Sequence, residues 1–219
     1  DILFGSGNLK RLDYTGQIDD IGTGAEDIDN SRNWLGSTRL LLTPAEVPLE
    51  LELTAQRDEL QSHEELYISE ENLDDLEFDS TTQGGVNEYK RDVSTYALRA
   101  SYDFSNATLT SVTSYQDRDI KERIIQGFDT PESQETLSEE LRMSFDFGSR
   151  WTGVGGLFFQ DAEFTRGVPS IAGFVGVSEN RVDTTSYALF GEATYALTDS
   201  VDLTAGLRLS REESSVDYQ

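Results

Sequence analysis

No cysteine occurs in this chain of 219 residues, so disulfides, thiolate metal sites and cysteine nucleophiles are excluded together. One histidine, His63, is too few for a histidine-rich metal site and is the single candidate for a histidine general base. Basic residues are scarce: 17 Lys and Arg stand against 42 Asp and Glu, for a formal charge of -25. A polyanion of this kind is repelled by phosphate backbones and by anionic membrane surfaces, so nucleic acid is not an expected partner. Long hydrophobic runs are missing too. The longest aliphatic run is Leu40-Leu41-Leu42, far short of the roughly 18 apolar residues of a spanning helix. Asp1-Ile2-Leu3-Phe4-Gly5 lacks the basic region and apolar core of a signal peptide. The chain is therefore soluble, or a mature or internal part of an exported protein, or it crosses a membrane as strands, which leave only a weak hydropathy signal.

Prolines number only four, while nine Tyr and eleven Phe are present, too many for a disordered acidic tail. Few prolines with many Tyr, Phe, Thr and Val suit strands. A period of two then sets the class. In 187–197, Tyr187, Leu189, Gly191, Ala193, Tyr195 and Leu197 share one parity, and Glu192 and Thr194 the other. Thr198-Asp199-Ser200 turns the chain. Val201, Leu203, Ala205, Leu207 and Leu209 then oppose Asp202, Thr204, Gly206, Arg208 and Ser210. This is a hairpin with one apolar and one polar face. The unit recurs at 94–104 with 107–121, at 136–147 with 150–165, and at 33–42 with the strand beginning at Leu49; a shorter strand lies at about 7–14. Glu139 breaks the apolar parity of its strand. The reading is all-β, an antiparallel meander in which sequential strands pair.

Short turns near 43–48, 105–106, 148–149 and 198–200 alternate with long polar segments at about 15–31, 59–91, 122–134 and 166–182. A sandwich has no reason to keep its long connections at one end of every hairpin. A transmembrane barrel does, with short periplasmic turns and long outer loops. Tyr102, Phe104, Phe145, Phe147, Trp151 and Tyr195 all lie beside short turns on the apolar parity, where a lipid-facing aromatic girdle belongs. The charged residues opposite them would face water outside a sandwich or the lumen of a barrel.

Chemistry-bearing constellations are weak. Ser62-His63-Glu64-Glu65 places a hydroxyl beside a base, but a working triad converges from a rigid scaffold rather than adjoining in an acidic loop. Asp27-Ile28-Asp29-Asn30-Ser31 alternates carboxylates as calcium loops do, without the glycine and final glutamate of an EF-hand. Asp74-Asp75 and Glu139-Glu140 are adjacent, so on a strand their side chains diverge. No catalytic residue, metal ligand or cofactor follows, and the chain is not read as an enzyme.

The ordered set of segments resembles a family, the TonB-dependent outer-membrane receptors. Tyr187 to Glu213 is similar to that family's mid-barrel hairpin: a strand of the type Tyr-Ala-x-Phe-Gly-Glu-x-x-Tyr, a short turn, then Leu203, Thr204, Gly206, Leu207, Arg208 and Glu212. Ala107 to Tyr115, Leu137 to Arg142 and Trp151 to Phe159 are similar as well, in the family's order. The resemblance covers about residues 33–213. It implies a bacterial outer-membrane barrel of roughly 22 strands that moves a scarce nutrient, commonly a ferric chelate or siderophore, and couples to the TonB complex through a plug domain. Residues 1–219 are then expected to be a partial β-barrel, an internal piece of the wall with eight or nine strands, holding neither plug nor signal peptide. Expected partners are outer-membrane lipid or lipopolysaccharide, the TonB complex and a small-molecule ligand. Segments 59–91, 122–134 and 166–182 are the expected ligand loops, with His63, Tyr67, Phe78, Tyr89 and Phe174 as candidate contacts. A soluble or surface-exposed acidic β-sandwich, adhesin-like, is the alternative from a different class.

Overall fold

The computed structural model describes residues 2–63, 68–124, 128–148, 150–168 and 178–218. In chain order the strands are β1 (Ile2–Tyr14), β2 (Asp19–Asp20), β3 (Ser31–Thr43), β4 (Leu49–Ser62), β5 (Glu77–Phe78), β6 (Glu88–Asp103), β7 (Ala107–Ile124), β8 (Phe128–Asp146), β9 (Trp151–Val168), β10 (Ser178–Thr198) and β11 (Val201–Tyr218). A 3-10 turn (Glu70–Asn72) and a short α-helix, α1 (Ser80–Gln83), precede β6. Among the described residues nine strands form one sheet in the order β1-β3-β4-β6-β7-β8-β9-β10-β11, all antiparallel. β2 and β5 form a separate two-residue parallel pair within the connections. The expected meander is observed, including the pairing of 94–104 with 107–121.

Directly opposed residues of an antiparallel pair share a face, so the register can be followed across the whole sheet. Leu3, Leu42, Leu51, Ala100, Ser111, Leu141, Leu157, Leu189 and Leu209 lie in one row. All but Ser111 are apolar. The opposite face carries Glu52, Arg99, Glu140, Glu192 and Arg208. A one-residue slip in any strand would break both faces, which is why the register is regular apart from one irregularity between Ala196 and Thr198, beside a turn.

Among the described residues nothing packs on the apolar face. A compact protein of 24.4 kDa would expose about 10,000 Å², whereas this chain exposes 14540 Å². Among the described residues only Ile28, Phe78 and Ala188 are buried hydrophobics. Among the described residues the main sheet is a single layer, without the second packed sheet that a sandwich requires. Glycines shape its surface at two points. A Cβ on Gly153 would lie 2.6 Å from the Phe145 ring, and one on Gly156 2.5 Å from the Phe190 ring, so each glycine leaves room for a ring laid across β9.

The long connections differ from expectation in two places. Residues 15–30 and 63–87 are long connections, but the described residues of 122–134 are strand, and in 166–182 residues 166–168 and 178–182 are strand, with 169–177 outside the described residues. β7 continues to Ile124, and β8 starts again at Phe128. Arg123 Nε donates to Asp129 across the pair at 2.9 Å, and Thr130 Oγ1 donates to the Glu122 carbonyl at 3.2 Å. Strands of 18 and 19 residues are about twice the 9–11 needed to cross a bilayer. Their outer parts carry charged and polar residues at both parities, so the period-two signal is weak and they read in sequence as loop.

Candidate functional site

On the apolar face the aromatics beside the short turns form close pairs. Ring centroids are 4.7 Å apart for Tyr102 and Phe104, 5.1 Å for Phe145 and Phe147, and 4.7 Å for Trp151 and Tyr195. Sequence reasoning missed a second line of rings on the same face. Tyr96 opposes Tyr115, and Phe159 opposes Tyr187 with centroids at 5.3 Å. Eight residues separate Tyr96 from Phe104, Trp151 from Phe159 and Tyr187 from Tyr195. That constant spacing on one parity was the available signal. Between the two lines lie Leu98, Leu141, Leu157, Leu189, Gly191, Ala193, Leu207 and Leu209. Glu139, the parity break, lies at the level of the second line. Its carboxylate accepts from Ser111 Oγ at 2.7 Å and from Thr113 Oγ1, so hydroxyls on β7 accommodate it.

On the polar face, toward the long connections, β3, β4, β6 and β7 enclose a groove of about 650 Å³ lined by Leu35, Ser37, Gln56, Asp58, Arg91, Val93, Thr95, Gln116 and Arg118 among others. Arg91 donates to Asp58 Oδ2 at 3.0 Å, and Gln116 Nε2 to Thr95 Oγ1 at 3.3 Å. Tyr89 lies on this face two positions outward from Arg91 and opposes Ser62 and Glu122. On the neighbouring strands Arg166 pairs with Glu132 at 3.2 Å. Nearer the short turns, Arg208 lies 5.7 Å from the Phe190 ring and 5.9 Å from the Phe158 ring.

Above the sheet, connections 15–30 and 63–87 join through β2 and β5. Asp19 N donates to the Leu76 carbonyl at 3.1 Å, and Ile21 N to the Phe78 carbonyl at 2.9 Å. Asp20, 2% exposed, is the hub. Its Oδ1 accepts from Ser80 N and Gly22 N, both at 3.0 Å, and its Oδ2 from Ser80 Oγ and Thr23 Oγ1, both at 2.6 Å. Burial pushes the Asp20 carboxyl up, but these donors from Ser80, Thr23 and Gly22 outweigh it and hold the group well below the usual carboxylate range. Asp29 Oδ1 accepts from Gln17 N at 2.7 Å and Ile18 N at 2.8 Å. Burial raises that carboxyl as well, and the backbone donors again bring it below its ordinary value. Within Asp27–Ser31 the Asp29 carboxylate thus braces a turn. Among the described residues no group of three or more His, Asp or Glu is placed to hold a metal.

The sequence-derived candidates are scattered by this arrangement. Phe78, 1% exposed, is the pin of the joined connections and offers a ligand no surface unless they open. His63 donates its backbone N–H to the Asn30 carbonyl at 3.2 Å, and its Nδ1 lies 3.3 Å from the same oxygen, which places it at the foot of the joined connections. Tyr89 borders the groove. Tyr67 and Phe174 lie outside the described residues.

Residues 13–219 match the family described as TonB dependent receptor-like, beta-barrel. The chain belongs to the TonB-dependent receptor family. Among curated relatives, the "Pesticin receptor" of Yersinia enterocolitica is 22% identical over 226 residues, covering 99% of this chain and 33% of its own length, and the Yersinia pestis protein of that name matches equally. Among solved structures, the ferric yersiniabactin uptake receptor FyuA of Yersinia pestis superposes with a TM-score of 0.85 at 21% identity, covering 99% of this chain and 35% of that one. The ferric-catecholate import receptor Fiu of E. coli K12 gives 0.64 at 13% identity, covering 98% and 44%. The siderophore receptor PiuA of Acinetobacter baumannii gives 0.58 at 11%, covering 99% and 42%. The chain spans about a third of the length of the curated relatives it matches. The short turns and the long connections define the two ends of this piece of a TonB-dependent receptor barrel.

Proposed function

We propose that residues 1–219 form part of the wall of an outer-membrane β-barrel that takes up a scarce nutrient, a ferric chelate being the best fit, with energy delivered by the TonB complex through a plug domain. The observation that carries this reading is the apolar face bounded by two aromatic lines. Eight strand residues span about 26 Å, or about 20 Å across a bilayer at a tilt near 40°, close to the apolar band of about 25 Å on known outer-membrane barrels. Lipid is the partner such a face requires, since no described residue covers it and it amounts to far more than the apolar patch a soluble monomer exposes. Tyr102, Phe104, Phe145, Phe147, Trp151 and Tyr195 are the periplasmic girdle in this reading, and Tyr96, Tyr115, Phe159 and Tyr187 the outer one. Lipopolysaccharide would meet the outer girdle and the charged strand extensions above it.

The ligand enters from the end with long connections. Within the described residues the groove, Tyr89 and His63 are the surfaces open to it; Tyr67 and Phe174 complete the proposed contact set. The soluble sandwich is not favoured, because a single sheet leaves its apolar face in water. The test is iron uptake by a Gram-negative host producing the full-length receptor, with and without a functional TonB complex. TonB-dependent uptake of a ferric chelate supports the reading; full assembly in the outer membrane without any such uptake overturns it.

A further inference from the structure

Four polar side-chain atoms lie buried without a hydrogen-bond partner along the polar face: Asn33 Oδ1, Asp58 Oδ1, Arg91 Nε and Arg118 Nε. They belong to one neighbourhood. Asp58 and Arg118 both oppose Val93, from the strands on either side of it, and Arg91 lies two positions along the strand that separates them. Asn33 opposes Leu60, which opposes Arg91. Asp58, Arg91 and Arg118 line the groove of about 650 Å³. Arg91 is half-neutralised by its bond to Asp58 Oδ2. Arg118 differs from the other luminal guanidiniums. Arg39, Arg91, Arg99, Arg142 and Arg166 each have an acidic partner, and Arg208 lies over two rings. Arg118 has no ion pair among the described residues.

A chain with 42 acidic residues against 17 basic ones has carboxylates to spare, so a luminal arginine left without one is informative. Buried polar groups are satisfied in the working molecule, and a lone guanidinium is the side chain best shaped for a carboxylate. We propose that this groove is an anion subsite, resting on the transport reading above: Arg118 and the Arg91 Nε–H bind a carboxylate of the incoming molecule, and Asp58 Oδ1 and Asn33 Oδ1 accept from a hydroxyl or N–H beside that carboxylate. The substrate class is a carboxylate-bearing chelate with an adjacent hydrogen-bond donor, of which citrate and its ferric complex are the simplest probes. The position fits capture. Arg118 stands three residues outward of Tyr115, so it lies just above the outer girdle on the luminal side, where a ligand arrives before any plug moves.

The experiment uses the full-length receptor in detergent, as wild type, Arg118→Gln and Arg118→Lys. Binding of citrate, ferric citrate and the cationic chelate ferrioxamine B is followed by quenching of intrinsic fluorescence, and the thermal stability of the ligand-free protein is measured alongside. We expect Arg118→Gln to weaken the carboxylate probes by about tenfold to a hundredfold, Arg118→Lys to recover part of that loss, and ferrioxamine B affinity and ligand-free stability to stay unchanged. Equal loss for ferrioxamine B would overturn the proposal, as would unchanged citrate binding in Arg118→Gln or no carboxylate binding to wild type. A drop in ligand-free stability in Arg118→Gln would also overturn it, because the carboxylate would then come from another part of the receptor. Ferrioxamine B binding without citrate binding sinks this subsite and leaves the transport reading standing. Citrate binding through Arg118, with no ferric chelate bound, sinks the transport reading and leaves the subsite.

Discussion

Leu207 and Thr204 lie three positions apart on β11 and face opposite ways. Leu207 opposes Gly191, midway between Tyr187 and Tyr195, and so stands near the centre of the proposed apolar band. Thr204 Oγ1 lies 2.8 Å from Thr194 Oγ1 on the polar face. Arginine at Leu207 in the full barrel should cost about 2–4 kcal/mol, whereas at Leu203, level with the girdle, or at Thr204, it should cost about 0–1 kcal/mol. Reversible denaturant unfolding in micelles measures all three, and equal costs at Leu207 and Thr204 would contradict a lipid-facing side. Gly156 gives a second test. A Cβ there would lie 2.7 Å from the Leu141 carbonyl as well as against Phe190, so Gly156→Val forces backbone or ring to move, at about 1–3 kcal/mol. Gly155, whose nearest contact would be 3.6 Å away, is the milder control. Residue identity alone disclosed the alternation that places Leu207. It did not disclose Arg118, because that residue becomes notable only through the register that gives other arginines their carboxylates.

The joined connections behave as a single element, since their stability is shared. Asp20 reaches sixty residues along the chain to Ser80, and Phe78 and Ile28 are buried between them. Asp20→Ala would leave the Ser80, Gly22 and Thr23 donors without their acceptor, a loss of about 1–3 kcal/mol to the unit. Limited proteolysis should then cut both 15–30 and 63–87 while heat-modifiable gel mobility of the barrel stays normal. The pH dependence has a definite sign. A carboxyl held low in the folded state adds stability above the unfolded range near about 4 and loses it as pH falls through the folded value. Protease resistance should therefore be flat from pH 8 to about 5, fall only in stronger acid, and lose that acid dependence in Asp20→Asn. Deleting part of 63–87 should reduce ligand uptake without preventing assembly, although 15–30 should become protease-sensitive, because its partner is gone. The sequence indicated that these connections were long, acidic and at one end. It could not show them clasped, since β2 and β5 are two residues each and Phe78 resembles any exposed loop aromatic until its pairing is known. The strand extension over 122–124 and 128–134 was hidden for the opposite reason: with polar residues at both parities, a strand shows little alternation.

Taken whole, this wall is unusual among folded chains in having hardly any core of its own. Its strands are long and its register regular apart from one irregularity between Ala196 and Thr198, and among the described residues the edge strands β1 and β11 each pair on one side alone, so their outer backbone groups need partners. Residues 1–219 produced alone should aggregate or remain disordered in buffer and should not give a cooperative soluble monomer; a sharp unfolding transition without detergent would argue for a self-contained protein. The architecture was readable from sequence because a single-layer sheet writes its two environments directly into odd and even positions, and no tertiary packing overrides them. The second line of rings was not, because it lies mid-strand, away from any turn that would mark it. The central claim is that the face between the two girdles contacts lipid, and accessibility along β10 tests it most directly. In these residues every cysteine would be introduced, so single spin labels can be placed from Tyr187 to Tyr195 in the full receptor reconstituted in bilayers. The account predicts that oxygen accessibility peaks at Leu189, Gly191 and Ala193, with a water-soluble relaxer excluded there, and that both signals invert at Ala188, Phe190 and Glu192. Equal access of the water-soluble relaxer to both sets would contradict it.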